Sequence, residues 1–240
     1  MLINADVKSL EIVVAAELSQ DKVLCEEIKN KVDLHEQNRL AFNLPSRLIA
    51  KVFVFRLIYG GSAYSYANDP DFVTAGLDQR GWQKVIDNFY AKYQGVKKWH
   101  DSLVHTAMSK GYIEIPSGRF YEYKPKKNFR GENVWPRTTI LNYCVQGFGA
   151  DLVMLARIEF FKNFMESGLE GCFIQTIHDS LVVDTPQKNV YTISKMLSDA
   201  VASVPRLCKE HFDYDFSLPL TSEILVGPNK RDMEEYKIEN

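Results

Sequence analysis

CFIQTIHDSLVVD, residues 172–184, reads as two short apolar strands, Phe173 to Ile177 and Leu181 to Val183, around a tight His178-Asp179-Ser180 turn. The turn puts a carboxylate, Asp179, at the tip of a strand-turn-strand unit. A second carboxylate, Asp6, ends a short apolar strand led by Leu2-Ile3, in INADVKSLE (residues 3–11). If the two strands are neighbours, both carboxylates point into one small volume. Two anions so placed repel unless divalent cations lie between them. Mg²⁺ suits such a place, because it needs few protein oxygens beside waters and phosphates. Two metals about 4 Å apart can activate an attacking oxygen and stabilise a leaving one. Taken singly, Asp6 is an ordinary strand-end residue and His178-Asp179-Ser180 an ordinary polar turn, so the inference rests on the pair.

Between these segments lies RLIAKVFVFRLIYGG, residues 47–61. Pro45-Ser46 is a helix start with Ser46 as N-cap, and Gly60-Gly61 is a stop. Residues four apart lie only about 40° apart around a helix. Arg47, Lys51, Phe55 and Tyr59 therefore form one stripe, two cations followed by two aromatic rings. A triphosphate can lie along the cations while its sugar and base rest on the rings. The bland alternative is an amphipathic helix whose basic side chains snorkel beside core aromatics. It suits any one of the four better than it suits all of them together.

Around these segments the periodicity predicts helices over Leu10–Leu18, Lys22–Lys31, Trp82–Lys110, Gln146–Glu166 and Val190–Val204. A hairpin is expected over Tyr112–Tyr123, turning at Pro116-Ser117-Gly118, then a polar loop over Lys124–Pro136. Leu220–Val226 reads as a last strand, and the charged tail from Lys230 as frayed.

At 240 residues the chain can bury a real core as one or two domains. The net charge of −2 does not advertise a polyanion partner, but its distribution is uneven. Between Lys84 and Arg130 ten lysines and arginines face four carboxylates, among many aromatics. That mixture suits backbone phosphates and stacked bases, or else a solvated helical face. The four cysteines form no CxxC pair, which points to reduced thiols rather than a zinc site or disulfide frame. The N-terminus is no signal peptide, because Asp6, Lys8 and Glu11 interrupt its apolar run. No stretch is expected to be long and apolar enough to span a membrane.

In combination these segments resemble the family A DNA polymerases, the bacterial DNA polymerase I and phage type. Asp6 to Glu11 resembles motif A, Arg47 to Gly60 motif B on the fingers' O helix, and Ile177-His178-Asp179 motif C. Asp33-Leu34-His35, Tyr93 to Val96, Ser117-Gly118-Arg119 and Asn142 to Gly147 also look familial. The resemblance covers nearly the whole chain, and the combined motifs are highly specific.

The resemblance implies an α+β fold: a right-hand polymerase palm, an antiparallel sheet with helices, and an inserted, mostly helical fingers domain. The palm would take residues 1–16 and 134–240, the fingers 17–133. It implies template-directed DNA synthesis from dNTPs on a primer-template, with two Mg²⁺ ions for which Mn²⁺ can substitute. Asp6, Asp179 and the Val7 carbonyl would ligate the metals. Glu11 would be the steric gate against a ribose 2′-hydroxyl, held by Tyr59. His35, Arg47 and Lys51 would grip the triphosphate, and Lys51 would also protonate the leaving pyrophosphate. Phe55 would pack near the sugar and Tyr59 would shape the base-pair pocket. Asn142 and Gln146 would contact the minor-groove side of the duplex, and His178 the primer terminus.

Two departures stand out. Ser180 occupies the place where the family often has a third carboxylate. Arg137 is one residue out of step with the arginine that usually precedes the Asn and Gln. Motif A, moreover, lies almost at Met1, with thumb and exonuclease domains absent. This suggests either a piece cut from a longer polymerase or, as the Met1 directly before the strand favours, the palm-fingers subunit of a split polymerase, with a partner chain carrying the thumb and perhaps an exonuclease, in the cytoplasm (the host's, if phage-encoded). The competing expectations are a non-catalytic nucleic-acid-binding or assembly subunit derived from a polymerase, and a metal-dependent nucleotide hydrolase. Binding alone has no need of both metal carboxylates, and a hydrolase has little use for Glu11, Tyr59, Asn142 and Gln146.

Overall fold

The computed structural model describes residues 1–238. In chain order the elements are β1 (Leu2–Val7), α1 (Leu10–Ser19), α2 (Lys22–Lys29), α3 (Leu34–Ala41), α4 (Arg47–Ile58), α5 (Ala63–Ala67), α6 (Gln79–Lys92), α7 (Gln94–Lys110), β2 (Tyr112–Glu114), β3 (Phe120–Glu122), β4 (Lys126–Lys127) and β5 (Asn133–Val134). There follow α8 (Arg137–Ser167), β6 (Cys172–Ile177), β7 (Ser180–Asp184), α9 (Val190–Ala202), α10 (Val204–Phe212), β8 (Ser222–Gly227) and β9 (Glu234–Glu235). The chain forms two compact units, one of residues 1–10 and 147–240, the other of residues 11–146.

The first unit is built on an antiparallel sheet in the order β6-β7-β1-β8-β9. β1 lies at its centre, and its side chains alternate as a strand's must. Ile3, Ala5 and Val7 are buried, at 0–2% exposure, while Asn4 and Asp6 keep some access. α9 packs on β1 and β8 through an apolar face that includes Ile193, Leu197 and Val201. Phe160 of α8 lies 6.3 Å from Phe173 of β6, ring to ring. The tail differs from the frayed segment expected. Glu234 and Glu235 pair with Val226 and Leu225, and the Tyr236 N–H donates to the Ile224 carbonyl. An open edge of β8 offers backbone partners that composition does not reveal.

The second unit is mostly helical around an aromatic core. Phe53 stacks on Trp82 at 5.7 Å, Tyr66 stacks on the same indole at 5.1 Å, and the Tyr66 hydroxyl donates to the Phe53 carbonyl. The single helix expected over Trp82–Lys110 is two helices, broken at Tyr93. Asp21 explains the break. Its Oδ1 accepts the Leu24 N–H at 2.9 Å and caps α2. Its Oδ2 accepts the Gly95 N–H at 2.6 Å and so satisfies the first turn of α7, for which Tyr93 supplies no side-chain cap. Tyr93 is itself fixed by hydrogen bonds to Glu27 and Asn38.

The expected loop before α8 contains the β4–β5 hairpin, and α8 starts at Arg137 rather than Gln146. Thr138, Thr139 and Ile140 are indifferent helix formers. Burial of Ile140, Leu141, Cys144 and Val145, each at most 1% exposed, overrides that preference. α8 also corrects the membrane expectation. It is long and apolar enough to cross a bilayer, although 56% of its most apolar window is buried within the protein, as in a core helix. All four cysteines are free thiols.

Candidate active site

The sheet brings Asp6, on β1, beside Asp179, which lies in the β6–β7 turn at the end of the neighbouring strand β7. Asp6 is in register with Ser180 on β7, and the Val7 N–H donates to the Asp179 carbonyl at 3.0 Å. The turn holding Asp179 is sharp, with His178 in the left-handed region at φ 51°. The Ser180 hydroxyl donates to the Ile177 carbonyl at 3.0 Å, so the residue at the family's third-carboxylate position closes its own turn. On the other side of β1, Glu223 of β8 is in register with Asp6, and directly opposed residues share a face. Its carboxylate lies 4.0 Å from the Lys8 ammonium. Sequence reading passed over Glu223; alternation along SEILVG from the buried Ile224 was the available signal.

Among the described residues no group of three or more His, Cys, Asp and Glu is arranged to hold a metal ion. The available donors are thus the two carboxylates and nearby carbonyl oxygens. They fit a cation such as Mg²⁺, which takes one or two carboxylates and completes its shell with water and phosphate.

The cationic stripe lies in the second unit. Ser46 caps α4 by accepting the Ile49 N–H, and Tyr59 ends the helix before Gly60 at φ 86°. Ile49, Phe53, Val54 and Leu57 turn inward, leaving Arg47 and Lys51 exposed and Phe55 and Tyr59 partly so. The Lys51 ammonium sits 5.9 Å from the Phe55 ring centroid. α3, which the periodicity did not predict, supplies His35 and the partner of Arg47. Asp33 caps α3 by accepting the His35 and Glu36 N–H groups. It also takes the Arg47 Nε at 2.9 Å, and that guanidinium is the main reason its carboxyl titrates below its ordinary range. The Asp33…Glu36 spacing was the missed helix-start signal.

His35 is buried, 6.3 Å from the Phe55 ring, and its Nδ1 has no hydrogen-bond partner among the described residues. Burial first, and then the Arg47 and Lys51 cations, lower its pKa, so the imidazole is neutral near pH 7. Glu11 lies in the first turn of α1. Asn142 and Gln146 are one turn apart on α8, the first half-buried and the second exposed. The structure thus gathers Asp6, Val7, His178 and Asp179 in the first unit and His35, Arg47, Lys51 and Phe55 in the second, with Glu11, Tyr59, Asn142 and Gln146 on other stretches of the second.

Behind α4 lies a second buried histidine. His100 is fully buried, its Nδ1 3.0 Å from the Tyr90 hydroxyl. Burial and the Arg137 guanidinium push its pKa down to about 3, opposed in part by Asp101 and the Ile58 carbonyl. The folded value lies below the unfolded one, so the unfolded chain binds the extra proton between them. Stability must then fall as pH falls through that window. Acidification from about pH 6.5 to 4.5 should cost about 2 kcal/mol in all through His100. Urea unfolding of the wild type and of His100→Gln at both pH values measures it. Equal losses in the two proteins would contradict the assignment.

The fold is that of a polymerase domain. The structure aligns with the POL domain of Pol1 from M. smegmatis, solved in complex with DNA primer-template and dNTP, at a TM-score of 0.78 and 22% identity, covering 94% of this chain and 39% of that one. The sequence profile of DNA polymerase family A matches residues 1–232, and the chain belongs to that family. It is 26% identical over 239 residues to the DNA polymerase I of Chloroflexus aurantiacus, covering 96% of this chain and 24% of the relative. With the Bacillus subtilis DNA polymerase I it shares 25% over 242 residues, covering 97% and 26%. The chain therefore spans about a quarter of the length of these relatives.

Proposed function

We propose that this chain carries out template-directed DNA synthesis, transferring dNMP from a dNTP to a primer 3′-hydroxyl with release of pyrophosphate. The observation that carries the proposal is that Asp6 on β1 lies beside the β6–β7 turn that holds Asp179, pinned by the Val7–Asp179 backbone hydrogen bond. We assign residues 1–16 and 134–240 to the palm and residues 17–133 to the fingers. Asp6, Asp179 and the Val7 carbonyl would hold two Mg²⁺ ions. Bound there, the ions would supply activation of the primer hydroxyl and neutralisation of charge on the phosphates.

The remaining roles belong to side chains. Arg47 and Lys51 bind the triphosphate, whose oxygens compete with Asp33 for the Arg47 fork. His35, kept neutral by burial and the two cations, offers a ring N–H to the phosphates without adding fixed charge. Phe55 bears on the sugar, Glu11 occupies the space a 2′-hydroxyl would need, and Tyr59 shapes the pocket beside it. Asn142 and Gln146 bind the duplex minor groove, and His178 positions the primer end. Catalysis is then mostly positioning and electrostatics.

The test is single-turnover primer extension at saturating primer-template, which does not depend on processivity. Lys51→Ala should slow the chemical step roughly a hundredfold, the typical cost of removing one preorganised charge from the transition state. DNA affinity should be unchanged, since Lys51 serves the incoming phosphates. A variant that loses DNA affinity but keeps its single-turnover rate would remove Lys51 from the active site. Absence of extension by the wild type under these conditions would count against the proposal itself.

A further inference from the structure

The β4–β5 hairpin carries a side chain that the proposed function leaves unused. Phe129, at its tip, is 92% exposed, the highest value of any large apolar side chain among the described residues. Holding a phenyl ring in water is unfavourable, yet the turn that carries it is closed by hydrogen bonds. The Asn128 Oδ1 accepts the Arg130 N–H at 2.9 Å and the Glu132 N–H at 3.0 Å, while its Nδ2 donates to the Glu132 carboxylate at 2.8 Å. Two backbone hydrogen bonds, Asn128 N–H to the Glu132 carbonyl and Gly131 N–H to the Asn128 carbonyl, close the turn. Gly131 sits at φ 77°, where a side chain would be strained.

The surroundings are cationic. The Arg130 guanidinium lies over the Phe129 ring, 5.3 Å from its centroid. Lys126 and Lys127, the two residues of β4, are both exposed. Glu132 is the sole acidic side chain from Lys124 to Trp135, and its carboxylate is engaged by Asn128. A lone exposed aromatic among cations is poorly suited to an apolar protein groove or a lipid core, which would demand a wider apolar patch. It suits a polyanion with exposed flat rings.

We propose that this tip is a contact for single-stranded nucleic acid, in which an unpaired base stacks on Phe129 while Lys126, Lys127 and Arg130 take flanking phosphates. A paired base offers its faces only to its neighbours in the duplex, so the proposal is specific for unpaired strand. It rests on the polymerase reading for the identity of the polymer, but not on the carboxylates or any chemical step.

The experiment is fluorescence anisotropy of a labelled oligo(dT) with the full chain at low salt and without divalent metal. Phe129→Ala should weaken binding roughly tenfold, the effect of losing one base–aromatic stack. Phe129→Leu should be as weak, and Phe129→Trp should keep wild-type affinity. Replacing Lys126 and Lys127 by Gln should lower the slope of log affinity against log salt by about 1.4, or 0.7 per phosphate contact on a single strand. Because the ring is exposed, none of these changes threatens the fold, and circular dichroism checks that. Wild-type affinity in Phe129→Ala, or retention of affinity by Phe129→Leu where Phe129→Ala loses it, overturns the proposal. So does a preference of the wild type for phospholipid vesicles over the oligonucleotide. Failure of primer extension alongside an intact Phe129 effect would instead count against the polymerase reading alone.

Discussion

Alanine at Asp6 or Asp179 is expected to abolish primer extension while leaving the fold in place. Each divalent ion in such a site supplies several kcal/mol of charge stabilisation, so the loss should be about a thousandfold or more. The fold should survive for a specific reason. The bond from β1 to the turn runs from the Val7 N–H to the Asp179 main-chain carbonyl, which alanine retains. Asp6 likewise keeps its backbone register with Ser180 and Glu223 whatever its side chain. The measurement is single-turnover extension, paired with Mn²⁺ binding followed by electron paramagnetic resonance. Near wild-type rates, or undiminished Mn²⁺ binding in both variants, would sink the metal assignment.

Gly95→Ala is expected to be strongly destabilising for so small a substitution. A Cβ there would lie 2.7 Å from the Asp21 Cα and 2.9 Å from its Oδ2. The first contact is backbone, so no rotamer change relieves it. Pushing Asp21 away disturbs two helix starts at once, because the same carboxylate caps α2 and receives the Gly95 N–H. Overpacking of about 1–3 kcal/mol plus about 1 kcal/mol for each disturbed cap gives a loss of about 3–5 kcal/mol. Urea denaturation reads this directly. A loss below about 1 kcal/mol, less than overpacking alone requires, would show that the two segments part without cost.

How much of this was legible in the sequence depended on where the information lay. β1, α4 and the β6–β7 turn could be read because their apolar periods, Ser46 and Gly60 are local signals. The break at Tyr93 could not, because its cause is Asp21, more than seventy residues earlier in the chain. The start of α8 was hidden for a related reason: burial of Ile140 and Leu141, not propensity, decides it. The candidate site divides the same way. The stripe of Arg47, Lys51, Phe55 and Tyr59 follows from spacing alone. The Asp33 grip on Arg47 and the alignment of Glu223 with Asp6 depend on pairing between distant segments. The tail was misread because a charged composition says nothing about an open strand edge beside it.

The central place of β1 has a consequence for how this polypeptide comes into being. Leu2 pairs with Asp184 on one side and Gly227 on the other, so β1 is bordered by two strands that come far later in the chain. A ribosome adding roughly 5–20 residues per second leaves β1 without its neighbours for tens of seconds. Residues 11–146, contiguous in the chain, can close their own contacts meanwhile. The sheet that holds both candidate metal carboxylates thus closes after residues 11–146, and its closure carries the entropy of very long loops. A nascent chain stalled before Ser222 would display the apolar Leu2–Val7 segment with one edge open, a target for holdase chaperones and for misassembly with other chains.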